Sequence, residues 1–485
     1  MFSSTAFVGI VLLLLIRTAV KVVERVFFSP LSNLPGPLIA KLTGQWILFV
    51  DLAGHRAKTI HKLHEEYGSV VQLGPNELSF SSSESIEPIY GIGTQFRKAP
   101  AYKAMARPGI FNMRDPAAHR ERRRLMNHAF SQQHLHGMEP AFHTSMKKLI
   151  ARIEQQDGKA LDVRHWFRMY TLDNAGEAFL GTSFGGLDYD EAPQYVKDFD
   201  MVFLAWAVEG TFPLISRLLK MIPHPKVQFF FGTDNRIYQY GFDRFSEYIQ
   251  RHGRVSQRKD LLTKMIGSKE NDPDAIADQD IAVEISNLCF AATDTTAITL
   301  IYLFWELGRN SALAEQLRAE LAGIPLHEGV IRHRSVSDLP FLDAVITETL
   351  RLYTATPSGL QRETPMGGWT LDGIYVPQQT VVSTNTWTTH HNPNYFPEPY
   401  RFDPSRWLGN VSEEMKKLWM PFSKGPRNCI GQAMALFEMK ILTATLVKRY
   451  NITVDDAMSA HDMEIMDHFL IIPKGQECLL KFTPI

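Results

Sequence analysis

Three cysteines in 485 residues, Cys289, Cys429 and Cys478, are too few and too scattered for a disulfide framework or a zinc site. A reducing compartment fits. Excess charge is equally scarce, since 51 Lys+Arg against 52 Asp+Glu leave a formal net charge of −1. No global field therefore points to a nucleic-acid partner. There is no internal repeat, no low-complexity tract and no G-x-G-x-x-G dinucleotide fingerprint. What is present is apolar mass: 45% of residues are hydrophobic, enough for a large core. Length alone suggests two or three domains and does not settle the count.

The chain opens with an apolar run from Ala6 to Ile16, followed by Arg17, Lys21 and Arg25. The run reaches the roughly 20 residues of a membrane span only if Phe2 is included and Arg17 and Lys21 snorkel to the interface. With no basic region before it and no small-residue cleavage site after it, it reads as a signal-anchor rather than a cleaved signal peptide. Basic residues after the run place the body in the cytoplasm. The expected division is an anchor and juxtamembrane segment over 1–29, a proline-rich hinge over 30–37 and a catalytic domain over 38–485.

The stretch Phe422-Ser-Lys-Gly-Pro-Arg-Asn-Cys-Ile-Gly431 places one cysteine in a turn ahead of a helical segment. Turns at Gly425 and Gly431 expose backbone N–H groups, the following helix presents its positive end, and Arg427 is close by. All of these stabilise a thiolate at Cys429, and a thiolate held this way is a metal ligand. Phe422 can shield the sulfur, and Gly431 lets a large flat ligand approach the backbone. The stretch resembles the haem-binding signature F-x-x-G-x-R-x-C-x-G of the cytochrome P-450 superfamily at every fixed position.

That resemblance gives other segments a meaning. Asp115-Pro116 caps and opens a helix to about Phe130, bearing His119 and Arg123 one turn apart. In the family an aromatic or His and an Arg four positions later contact a haem propionate, which implies that role for His119 and Arg123; Arg362 sits where related chains place another propionate-binding arginine. An apolar helix from about Ile281 to Leu307, with Asp278 and Asp280 as caps, contains Ala291-Ala292-Thr293-Asp294-Thr295-Thr296. This resembles the oxygen-binding motif [AG]-G-x-[DE]-T-[TS], with Asp294 and Thr295 as a proton-delivery pair and Ala292 in place of the usual Gly. Read from the residues alone, Asp294 pairs instead with a distant Arg and Thr295 bonds back to the preceding turn. Glu348 and Arg351 share a face of a helix opened by Pro340, and Pro399-Tyr400-Arg401-Phe402 matches the family's P-x-R-F segment. The resemblance implies a buried structural triad of Glu348, Arg351 and Arg401.

A hairpin over Ser69–Leu73 and Glu77–Ser81 starts a small sheet, which Ile374–Val376 and Thr380–Thr384 complete. Pro223, Pro225 and Phe229–Phe231 read either as core packing or as a membrane-dipping loop. The fold implied is mainly α with a smaller β-region, its long central helix lying over the haem. The activity implied is a haem-thiolate monooxygenase acting with O₂ on a hydrophobic small molecule, similar to fungal enzymes of secondary metabolism. Its cofactor is haem b, and its electrons come from NADPH through a separate cytochrome P-450 reductase. The expected location is the endoplasmic reticulum membrane, single-pass, and the expected state a monomer. Two alternatives stay open: a haem-thiolate isomerase or dehydratase that uses no O₂, and a haem carrier or sensor.

Overall fold

The computed structural model describes residues 4–105, 107–254, 260–266 and 276–485. Its axis is the 32-residue helix Asp278–Arg309, which at 1.5 Å per residue runs about 48 Å. Apolar residues occupy nearly its whole circumference from Ile281 to Leu307, so it can be stable only inside the protein. Of its 32 residues 22 are buried, although its length and apolar content would suffice to cross a membrane. Its burial makes it a core helix. The N-cap is Ala277 rather than an aspartate; Asp278 and Asp280 sit in the first turn, favouring the positive helix end, and Asp280 pairs with Arg122 at 2.6 Å.

Around this axis pack the helices Val163–Leu180, Thr233–His252, Pro340–Leu352 and Gln432–Arg449. Their apolar faces merge into one large core that includes Phe167, Tyr302, Phe304 and Leu442. A second, smaller core of Leu78, Phe80, Ile89 and Val382 lies against a five-stranded sheet. That sheet runs in the order Val70–Gly74, Glu77–Phe80, Val381–Thr384, Arg362–Glu363, Arg97–Lys98. Glu77–Phe80 and Val381–Thr384 are parallel, the other pairs antiparallel. The first hairpin is where the alternation put it. Ile374–Val376 departs from expectation: it pairs with Trp369–Leu371 in a separate two-stranded ribbon, because the turn at Asp372-Gly373 closes it locally.

Asp115 accepts from the Ala118 N–H at 2.7 Å and so opens the helix Pro116–Asn127. The N-terminal helix Ser4–Val23 carries exposed Leu12, Leu13, Ile16 and Val20. A second apolar surface comprises Leu214, Leu218, Met221 and Ile222 with Phe229 from the short helix Pro225–Phe231.

Candidate active site

Gly425 has a left-handed φ of 61°, and a Cβ there would stand 2.1 Å from the Tyr90 carbonyl oxygen, so only glycine fits. The turn it makes lets the Cys429 N–H donate to the Phe422 carbonyl at 2.8 Å, fixing the sulfur at the mouth of the helix Gln432–Arg449. Burial raises the thiol pKa, while N–H donors from Gly431 and Gln432 and the charge of Arg123 pull it down. Cys429 lies deep in the protein yet is open to an internal cavity. Cys289 and Cys478 are sealed in the core, and burial pushes their thiols far up.

Beside the sulfur the chain collects five cationic or imidazole side chains. Arg123 donates to the backbone and side-chain oxygens of Asn428, each at 2.6 Å. Arg427 donates to the Met113 carbonyl at 2.6 Å; burial first, then Arg362, pushes its pKa down to about 10. Burial, then the neighbouring Arg427, holds His119 down to about 3, so its imidazole is neutral. Lys98, a residue no motif points to, is buried over the rings of Tyr102 and Phe111, and burial pushes its ammonium well below the usual range. Arg362 is buried against the Tyr90 ring, with Nε and Nη2 lacking any acceptor. None of the five forms an ion pair among the described residues, and the nearby carboxylate of Glu363 is already held by Arg97 and Arg114 at 2.6 Å each. Unpaired cations this deep are costly, and the arrangement fits a ligand that brings carboxylates with it.

The cavity, about 1650 Å³ including its opening to solvent, runs from Cys429 up to the central helix. Ala291, Ala292, Thr295 and Thr296 line it, and the Thr295 hydroxyl donates to the Ala291 carbonyl at 2.7 Å. Asp294 does not face it. Its carboxylate turns to the helix Val163–Leu180, where Arg168 donates from Nε at 2.7 Å and Nη2 at 3.2 Å while also holding Asp200. The structure thus brings Thr295 to the cavity and separates Asp294 from it. At the far end Phe469 forms a one-residue turn between the paired His468 and Leu470, with a φ of 76°. Such a backbone costs a phenylalanine on the order of 1–3 kcal/mol. Asp467 anchors the turn by accepting from the Ala57 N–H at 3.1 Å and from the Ser358 hydroxyl.

A cavity-facing thiol, a cluster of cations without carboxylate partners among the described residues and a threonine-bearing helix border one pocket, an arrangement that a dicarboxylate bearing a metal would complete. The family profile described as cytochrome P-450 matches residues 34–480. The chain belongs to the cytochrome P-450 family. Among its relatives are the cytochrome P-450 monooxygenase tazI of Aspergillus terreus, 32% identical over 99% of this chain and 98% of that protein. The monooxygenase orf2 of Aspergillus niger is 30% identical over 98% and 97%, and aflV of Aspergillus parasiticus 29% over 96% and 94%. Membership implies haem, which the thiol, the cavity and the unpaired guanidinium of Arg362 all fit.

In this P-450 the buried network behind the cysteine loop differs from expectation in one member. Arg351 places all five donors: Nε and Nη2 on Glu348 at 2.8 and 2.7 Å, Nη1 on the His390 and Pro399 carbonyls at 2.8 Å, and Nη2 on the Arg401 carbonyl at 3.3 Å. Glu348 also accepts from the Asp403 N–H, Trp407 Nε1 and Arg406 Nε at 3.0, 2.8 and 3.3 Å. The third charged side chain is therefore Arg406, 8% exposed. Arg401 lends only its carbonyl, and its own side chain is 64% exposed and pairs with Glu398. The signal was available: Pro404-Ser405-Arg406-Trp407 repeats the Pro-x-Arg-aromatic spacing five residues downstream.

Proposed function

We propose that this chain is a haem-thiolate monooxygenase in which Cys429 would ligate the haem iron and His119, Arg123, Arg362 and Arg427, joined by Lys98, would receive the haem carboxylates. The carrying observation is the pairing of a cavity-facing thiol with a cation cluster that has no counter-ion among the described residues. Phe422 lines the cavity beside the sulfur and excludes water from it, and Gly425 and Gly431 keep the loop close to the ring. Bound haem supplies the oxidation of substrate with O₂, the thiolate donating electron density to it.

The chain's own part on the substrate side is to bind, exclude water and manage one proton. The Thr295 hydroxyl, anchored to the Ala291 carbonyl, is placed to hold a proton at the cavity wall. Asp294, through its pair with Arg168, positions the turn that carries Thr295 rather than contacting the cavity. An isomerase would have no use for that hydroxyl, which favours the oxygenase. Electrons come from NADPH through a separate reductase, and the substrate is a hydrophobic small molecule of fungal secondary metabolism. The exposed apolar helix Ser4–Val23, with Lys21 in its last turn, anchors the enzyme as a monomer on the endoplasmic reticulum with its body in the cytoplasm.

The test is spectroscopic. Reduced protein under CO should show the red-shifted Soret band of thiolate ligation; Cys429→Ser should lose it, and Cys289→Ser and Cys478→Ser should keep it. Survival of the band in Cys429→Ser removes the assignment. Product formed only with reductase, NADPH and O₂ together separates oxygenation from isomerisation.

A further inference from the structure

The far compartment of the cavity has an unusual wall. Phe111 from the loop before Pro116, Phe203 and Trp206 from the helix Gln194–Thr211, Phe290 from the central helix and the constrained Phe469 all line it. The rings touch one another: Phe203 stacks on Phe469 at 4.8 Å and 28°, Phe111 meets Phe469 edge-on at 6.1 Å, and Phe203 meets Phe290 at 5.0 Å. Four separate segments therefore converge to build aromatic faces and edges around one space. Such faces and edges favour another ring, offset or edge-on, over a saturated chain of the same size.

Two polar side chains border this wall: Lys98, whose ammonium lies 3.9 Å over the Phe111 ring and belongs with the cations beside the sulfur, and Asn287 on the central helix. Asn287 lines the cavity, is half-buried and has no hydrogen-bond partner among the described residues. The neighbouring groups are already committed, since Trp206 Nε1 donates to Asp234 at 3.1 Å and the Gly109 N–H donates to Asn112 at 2.7 Å. Gly109 leaves room for the amide: a Cβ there would stand 2.1 Å from Asn287 Nδ2. Asn287, Ala291 and Thr295 follow one another by single turns along the cavity side of the helix, so Asn287 lies about 12 Å along the axis from Thr295. An amide facing an aromatic chamber unpaired loses water when substrate enters, and recovers that loss only if the substrate brings a hydrogen-bonding atom.

We propose that Asn287 is the specificity-determining anchor of the substrate, and that the chamber takes a flat aromatic ring system carrying a hydroxyl or carbonyl oxygen at the end remote from the oxidised carbon. Which end is oxidised rests on the haem-thiolate reading above; the recognition itself does not.

Full-length holoenzyme in detergent is tested by equilibrium dialysis against 4-phenylphenol, biphenyl and trans-4-cyclohexylcyclohexanol, a readout that needs no turnover. The wild-type enzyme should hold 4-phenylphenol about tenfold more tightly than biphenyl, the scale of one net hydrogen bond. It should hold the saturated alcohol at least about fivefold more weakly than 4-phenylphenol, the scale of aromatic pairing. Asn287→Leu should bring 4-phenylphenol and biphenyl to within about twofold, weakening the phenol and tightening biphenyl, while leaving the reduced-CO band unchanged. Gly109→Ala, which displaces the amide without removing it, should lose the same preference. Retention of the tenfold preference in Asn287→Leu, or equal binding of the saturated alcohol, overturns the proposal. A failed haem assignment would show separately, as a thiolate band surviving in Cys429→Ser, with the dialysis preferences untouched.

Discussion

Two buried regions of charge adjoin the segment that carries the cysteine loop, and they are built on opposite terms. Around Glu348 all five Arg351 donors have an acceptor and the carboxylate has five donors. Around Arg362 and Arg427 there are cations and a neutral imidazole, none of them paired with a carboxylate among the described residues, and two guanidinium nitrogens of Arg362 without a hydrogen bond. Charge inside a protein is tolerated when it is complete, so the first region is architecture. The second is incomplete as protein alone, and incompleteness at fixed positions marks the place of a ligand that completes it.

The largest effect should come from breaking the closed region. Glu348→Gln leaves Arg351, fully buried, without its counter-charge, at a cost of roughly 3–5 kcal/mol. The expected result is a fall of several degrees in the thermal midpoint and little folded protein recovered, whether or not haem is supplied.

The open region should respond in the opposite way. Arg362→Leu removes a buried cation that no carboxylate pairs among the described residues and whose Nε and Nη2 are unbonded, only Nη1 reaching the Leu360 and Gln361 carbonyls, so the haem-free protein should be about as stable as wild type or more so. Haem retention should suffer: a hydrogen bond to a charged group contributes about 1.5–3 kcal/mol, or roughly ten- to a hundredfold in the rate of haem loss to an acceptor protein. If Arg362→Leu destabilises the haem-free protein as Glu348→Gln does, the two regions are of one kind and the contrast fails.

A pH series sharpens the comparison from the closed side. His390 bonds the Arg351 carbonyl through Nδ1 at 3.0 Å and accepts the Met420 N–H through Nε2 at 3.0 Å, so only the neutral ring fits. Burial holds its pKa down to about 3, against 6.5 for the free side chain. The folded state therefore binds fewer protons than the unfolded one between those values. Its contribution is whole above about pH 6.5 and drains as pH falls toward 3, by at most about 1.4 kcal/mol per unit. His390→Gln, which keeps a donor and an acceptor but cannot titrate, should lose up to about 2 kcal/mol less than wild type between pH 6.5 and 5 in denaturant unfolding. An unchanged acid limb would mean that other groups govern it.

The sequence made these regions legible to different degrees, for physical reasons. The cysteine loop was readable because its determinants are local: a glycine forced to positive φ, a helix start and a sulfur lie within ten residues. The central helix was readable because burial on all sides leaves an all-round apolar pattern. Partners brought together by the fold were not. A carboxylate in an apolar helix called for a distant arginine, as found, but Arg168 is 126 positions from Asp294 and no local pattern names it. Lys98 carries no spacing signal, because its role comes from a two-residue strand at a sheet edge. Ile374–Val376 pairs with Trp369–Leu371 and not with the small sheet expected of it, because strand character reveals nothing about pairing choice.

Arg401 and Arg406 give the finest break in the comparison, because they share one local spacing and differ only in which side chain turns inward. Arg406 reaches Glu348 with Nε at 3.3 Å and the Glu398 carbonyl with Nη2 at 3.0 Å. Arg406→Ala leaves Glu348 still matched by Arg351, so its cost should fall below that of Glu348→Gln, at about 1–2 kcal/mol. Arg401 pairs at the surface with Glu398, and an exposed pair three residues apart contributes a few tenths of a kcal/mol at most. Its carbonyl, the part that Arg351 uses, belongs to the backbone and survives any substitution of the side chain. Arg401→Ala should therefore shift stability by less than about 0.5 kcal/mol and leave haem content unchanged. Thermal midpoints of the two alanine variants, measured side by side with the reduced-CO spectrum, decide the matter. A loss in Arg401→Ala equal to that in Arg406→Ala would return Arg401 to the buried network and place the inward side chain one motif upstream.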